Sequence, residues 1–246
     1  MQLHRFAFGV VGVLMGLGLV SEARAQAWEA APAPAGPPGT KFEVGLRSGY
    51  GVAMGKVADG DDSDLNDVIS GQIPLWLDLG ARIEHHIYVG AYVAYGFGIN
   101  GSQLDNLCDG SERPGVDVSC STHDWRFGAQ FQYHIGAPLQ IDPWLGAGIG
   151  YEVLGFGVTA SQGGQEATVS FRASGWEFLN LQGGVDFPLS DAIALGPFAA
   201  FTVGQYGSTS SSCSGDCTGV TDEDEDIDDK DLHHWLFLGV RSTFLF

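Results

Sequence analysis

Apolar and polar residues alternate along most of this chain. In KFEVGLRSGYGVA (41–53), Phe42, Val44, Leu46, Tyr50 and Val52 alternate with Glu43, Gly45, Arg47, Gly49 and Gly51. In HDWRFGAQFQYHI (123–135), Trp125, Phe127, Ala129, Phe131, Tyr133 and Ile135 oppose Asp124, Arg126, Gly128, Gln130, Gln132 and His134. A period of two is that of a strand with two unlike faces. The same pattern predicts strands over 73–84, 87–100, 141–158, 169–187, 193–203 and 233–246, eight in all. Two positions strain it. Glu177 intrudes on the apolar phase between Trp176 and Phe178, as a β-bulge or a strand end beyond an apolar layer would allow. Pro197 removes a ladder donor from the seventh segment.

The connections sort by length. Long ones are expected near 55–71, 100–122, 159–168 and 207–232, and short ones near 84–86, 136–140 and 188–191. They alternate, so all the long loops fall at one end. A soluble sandwich has no reason to sort loops this way, whereas a transmembrane barrel does. The apolar face then meets lipid. The opposite face carries Gly, Gln, Asn and a few charges, as the interior of a narrow barrel would. Aromatics gather toward both strand ends. Tyr50, Trp125, Tyr151, Phe171 and Tyr206 lie toward the long loops, and Phe42, Tyr133, Phe187, Phe244 and Phe246 toward the short turns. Two interfacial girdles are expected of such a barrel.

The first 25 residues read as a secretory leader, with His4 and Arg5, an apolar run from Phe6 to Val20, and Ala23-Arg24-Ala25 as a small-x-small cleavage site. Residues 26–40, rich in Pro and Ala, are expected to form an extended periplasmic tether, and 41–246 the barrel. With 30 acids against 11 Lys and Arg, the formal charge is −19, which repels phosphate backbones and argues against a nucleic-acid partner. Thirteen of the acids fall in 58–67 and 221–231.

The alternating segments and a last strand ending VRSTFLF make the chain resemble the small bacterial outer-membrane barrels of the OmpA, OmpX and opacity type. That resemblance implies an all-β, eight-stranded, antiparallel up-and-down barrel in the outer membrane, with both termini periplasmic. It also implies that Leu238, Val240, Phe244 and Phe246 form the signal read by the outer-membrane assembly machinery, with Ser242 departing from the pattern. The lipid partners it implies are those of the outer membrane, lipopolysaccharide included.

The strand phases point Glu43, Arg47, Asp78, Arg82, Glu84, Arg126, Asp142, Glu152, Asp186 and Arg241 into the lumen. An unpaired charge in so narrow a space is costly, so these are expected to pair into a plug. Cys108 with Cys120, and Cys213 with Cys217, are expected to form two disulfides that pin outer loops in an oxidising compartment. No cofactor is expected. The acidic stretch around Asp59, Asp61 and Asp64 is a weak metal candidate, because Asp64 stands where an EF-hand loop needs Gly. Loosely held Ca²⁺ or Mg²⁺ is the metal association that remains. Ser121, His123, Asp124, His233 and His234 are residue types that a lipid A-modifying barrel enzyme would need, but no motif or oxyanion feature accompanies them. Three roles follow in order: a structural or surface-interacting barrel that is not an enzyme, a small gated channel, and a lipid A-modifying enzyme.

Overall fold

The structure, a computed structural model, describes residues 39–57, 64–109, 115–136, 141–215, 217 and 223–246. The expected leader, most of the tether, Asp59 and Asp61 lie outside the described residues.

Nine strands and two short helices follow one another among the described residues. They are β1 (Thr40–Gly55), α1 (Leu65–Val68), β2 (Ile69–Ile83), β3 (Ile87–Asn100), α2 (Ser102–Asp109), β4 (Asp117–His134), β5 (Asp142–Gln162), β6 (Gln165–Pro188), β7 (Ile193–Gly215), β8 (Glu223–Asp226) and β9 (His233–Leu245). Eight of them close a ring in the order β6-β5-β4-β3-β2-β1-β9-β7, and β6–β7 pairing seals it. Every neighbouring pair is antiparallel. Closure removes free edges, the condition for strands to cross lipid. No helix among the described residues is long and apolar enough to cross a membrane.

Both ends of the barrel meet at one rim, the near rim, where Phe42 and Phe246 exchange backbone hydrogen bonds of 3.2 and 2.9 Å. The outer wall is a continuous apolar surface. Phe42, Leu75, Phe127, Leu145, Leu238 and Val240 are each about half exposed or more, whereas Glu43, Trp76, Arg126, Trp144, Phe237 and Arg241 beside them point inward and are buried. That inversion, apolar out and polar in, identifies lipid as the outer solvent.

At the far rim the strands outrun the membrane. A spanning strand needs about 9–11 residues, but β5, β6 and β7 have 21, 24 and 23. The expected long loop at 159–168 is therefore corrected. It is a tight hairpin, with Gln162 paired to Gln165 across Gly163 and Gly164, both at positive φ. Its residues are Thr, Ser, Ala, Gln and Glu, which alternate too weakly in polarity to register as strand. Ladder pairing carries them as strand instead. Likewise β8 extends the sheet into the expected 207–232 loop by pairing with Ser208–Ser211.

Both irregularities have a local account. The register of β6 on β7 shifts between Glu177 and Leu179. The extra residue lets Phe178 and Leu179 both face out, 51 % and 36 % exposed, while Glu177 turns inward at 1 %. The β6–β7 ladder lapses between Gly184↔Phe198 and Phe187↔Leu195, around Pro197, which has no N–H to give. 

Candidate functional site: the packed lumen

Inward-facing side chains fill the barrel in three layers, each organised by arginine. Nearest the near rim, Glu43 bridges two guanidiniums. Arg82 Nη2 lies 2.6 Å from its Oε2, and Arg241 Nη2 lies 2.7 Å from its Oε1. Asp142 and Asp186 flank them at 3.5 Å from Arg82 and 3.6 Å from Arg241. His134 Nδ1 sits 2.8 Å from Asp142, and the Trp144 indole donates to Asp186 at 3.2 Å.

In the middle layer Arg47 pairs with Asp78 and donates to Gln130 and Gln182. Gln130 donates in turn to Asp78 at 2.7 Å, which fixes its amide. In the layer toward the far rim, Arg126 gathers three carboxylates: Asp124 at 2.6 Å, Glu152 at 3.0 Å and Glu177 at 2.9 Å. The charge left over is met by neutral donors and one imidazole. Tyr92 and Asn180 donate to Glu177 at 2.6 and 2.9 Å. Tyr206 and Trp235 donate to Glu152 at 2.6 and 3.1 Å, and His233 lies 2.9 Å from it.

Aromatic rings fill the space between the layers. The Arg47 guanidinium lies 4.1 Å from the centroid of Trp76, Arg241 lies 4.4 Å from Trp144, and Arg126 lies 5.0 Å from Trp235. Stacked guanidiniums stay charged without water, because a ring face replaces part of their hydration. The rings fit because glycines face them. A Cβ on Gly150 would collide with the Tyr92 hydroxyl, and one on Gly51 with the Phe237 ring. The lumen glycines thus act as sockets for aromatic side chains from neighbouring strands.

Nine of the ten charges expected in the lumen are placed there, all buried: Glu43, Arg47, Asp78, Arg82, Arg126, Asp142, Glu152, Asp186 and Arg241. Glu84 is not among them. It sits in the β2–β3 turn, exposed, with φ of 49°, because the chain reverses before its side chain can follow the strand phase. Sequence reasoning gave no lumen role to Glu177, His233 or the interior aromatics. A bulge hid Glu177. The rings carried a signal, since Trp76, Trp144 and Trp235 all fall on the polar phase of their strands. Two expected girdle residues are also corrected. Tyr206 is fully buried on Glu152, and Phe171 stacks on Phe156 at 4.9 Å above the lumen. Tyr206 keeps the inward phase of Thr202 and Gly204, and the extra residue at Glu177–Leu179 puts the preceding part of β6, Phe171 included, on the inward phase of Ala173 and Glu177.

The catalytic residue types converge only in part: Ser121 and His123 line one small pocket with Arg172, and no carboxylate joins them there among the described residues. Asp124 is inside the barrel on Arg126, whereas the neighbouring strand positions Ser121 and His123 face out, and His123 stacks on Tyr95. His233 points in and His234 out, where it stacks on Phe201. Donor atoms of His134, Asp142 and Asp186 lie within 4.8 Å of one another, a spacing a cation could bridge. Arg82 and Arg241 already engage those carboxylates and oppose a further positive charge. Asp64 bridges to Lys56 through backbone at the far rim. The disulfides Cys108–Cys120 and Cys213–Cys217 are both formed, the first tying α2 to β4 and the second pinning the end of β7.

No protein-family model matches the sequence, and no curated protein matches it. Solved structures do. A major outer membrane protein from Thermus thermophilus superposes with TM-score 0.51 at 12 % identity, over 84 % of this chain and 99 % of that one. The fold is that of the small bacterial outer-membrane barrels. Neisserial surface protein A gives TM-score 0.44 at 13 % identity over 83 % of this chain and 97 % of its own. The outer membrane protein AlkL gives 0.44 at 14 % over 89 % and 96 %. At these identities the outer-membrane barrel likeness concerns the backbone and carries no residue roles.

Proposed function

We propose that this chain is a bacterial outer-membrane barrel whose lumen is a structural plug, with a non-catalytic role exercised at its far rim. The observation that carries this reading is the unbroken packing of the lumen from Glu43 to Glu177, with Arg47, Arg126 and Arg241 each both paired and stacked. Both termini are periplasmic in this reading. The projecting β5–β7 sheet and the two disulfide-tied segments then face outward, among lipopolysaccharide headgroups. Loosely held Ca²⁺ or Mg²⁺ would bridge the acidic segments to that anionic surface. Leu238, Val240, Phe244 and Phe246 would serve assembly from the outer wall of β9, where Leu238, Val240 and Phe246 are exposed.

The test is single-channel recording of refolded protein in a planar bilayer, with folding verified by heat-modifiable electrophoretic mobility. Silence from folded protein is expected. Steady discrete openings would replace the plug with a gated channel. In that case Arg126→Ala and Arg241→Ala, each of which removes a guanidinium that holds carboxylates from different strands, would raise the conductance.

A further inference from the structure

Above the Tyr206–Glu152 layer the projecting strands enclose a cavity of about 390 Å³. Its walls differ in kind. Val57, Val68, Leu154, Phe156, Phe171 and Ala173 form one side, with Leu154 and Ala173 buried at its floor. Thr209, Ser211, Glu223 and Glu225 form the other, because β7 pairs Thr209 with Glu225 and Ser211 with Glu223, and the cross-strand pair Arg172 and Ser210 also lines it. That arrangement depends on the register shift between Ser174 and Gly175, where Gly207 is the extra residue on β7. The floor is closed from the lumen by Tyr206, whose ring stacks on His233 at 4.0 Å.

We propose that this cavity binds a small organic ammonium ion with a flat apolar body. The volume is at the low end for small-molecule sites and suits a body of roughly one or two rings. The stacked Phe156–Phe171 pair, at an interplanar angle of 17°, offers a flat aromatic wall for that body. The opposite wall offers hydroxyl and carboxylate oxygens, all able to accept from an ammonium. Glu223 already engages a neighbour, so Glu225 is assigned to the cationic head. A carboxylate ligand is disfavoured, because the four carboxylates of β8, Glu223-Asp224-Glu225-Asp226, outnumber the single guanidinium, Arg172, that lines the cavity among the described residues.

The test is calorimetric titration of the full chain, refolded in nanodiscs, with 1-naphthylmethylammonium, and in parallel with 1-naphthylmethanol and 1-naphthoate. Saturable binding of the ammonium at one site per chain is expected. Affinity should fall about tenfold in Glu225→Gln, the loss of one charge-assisted hydrogen bond. It should be lost in Ala173→Phe, which fills the floor. Folding of both variants is checked by heat-modifiable mobility. If Ala173→Phe does not fold, the exposed Glu225→Gln variant decides alone. Equal affinity for ammonium, alcohol and carboxylate overturns the proposal. So does uptake unchanged in Glu225→Gln, which would be partition into lipid only.

Discussion

Arg126 shows how a single residue governs the interior. It is the one guanidinium within reach of Asp124, Glu152 and Glu177 among the described residues, and it is 1 % exposed. Its removal leaves three carboxylates in a space with little water. Arg126→Ala is expected to destabilise the barrel by about 3–5 kcal/mol, the cost of orphaning buried charge. Urea unfolding in lipid vesicles, followed by tryptophan fluorescence, measures this. A glycine socket gives a second expectation at the same scale. Gly150→Ala places a methyl group against the Tyr92 hydroxyl and should cost about 1–3 kcal/mol through overpacking. The cost should shrink when Tyr92→Phe removes the hydroxyl, and a double-mutant cycle reads the difference. Equal costs in both backgrounds would mean that the collision is relieved elsewhere.

Among the elements, β6 has faces that depend on a local defect. The bulge at Glu177–Leu179 keeps Asn180 and Gln182 in the lumen and Leu181 in lipid. Deleting Phe178 removes the extra residue and restores a plain alternation in which Glu177, Asn180 and Gln182 stay inside and Leu179 and Leu181 stay in lipid. The deletion variant is therefore expected to insert and fold in vesicles, as judged by electrophoretic mobility. Failure to fold would show that the barrel needs the bulge itself and not only the facing it sets. By contrast, α2 hangs on the barrel by the Cys108–Cys120 bond and by few other contacts, one of them Leu104, which is 4 % exposed. Replacing both cysteines by serine should leave barrel unfolding unchanged while limited proteolysis between β3 and β4 becomes faster. A lowered unfolding midpoint would instead make that bond part of the barrel's cooperative unit.

At the scale of the whole molecule, the barrel joins two unlike parts. The membrane-spanning part is filled by polar packing, with seven carboxylates, four guanidiniums and two imidazoles buried among the described residues. The projecting part is an open-mouthed sheet carrying acids and hydroxyls around an apolar cavity. A silent, folded barrel in the bilayer recording is what this division leads one to expect, with ligand chemistry confined to the far rim. The outer wall at the far-rim boundary carries Trp125 and Trp176, exposed at 45 % and 59 %, which marks where lipid tails give way to headgroups.

Much of this was legible along the chain. Alternation along β1 to β7 and β9 set the eight strands of the ring, the lipid face and nine of the lumen charges, because side-chain direction in a strand has a period of two and needs no partner to define it. The cysteine spacing likewise indicated both disulfides. What the chain alone left open was everything that depends on how neighbouring strands register. The inward turn of Glu177, the hairpin at Gly163–Gly164 and the two-sided cavity all follow from bulges and ladder pairing. A one-residue shift against a partner reverses a face without changing the composition of either strand. Only closure of the sheet decides which carboxylate meets which arginine.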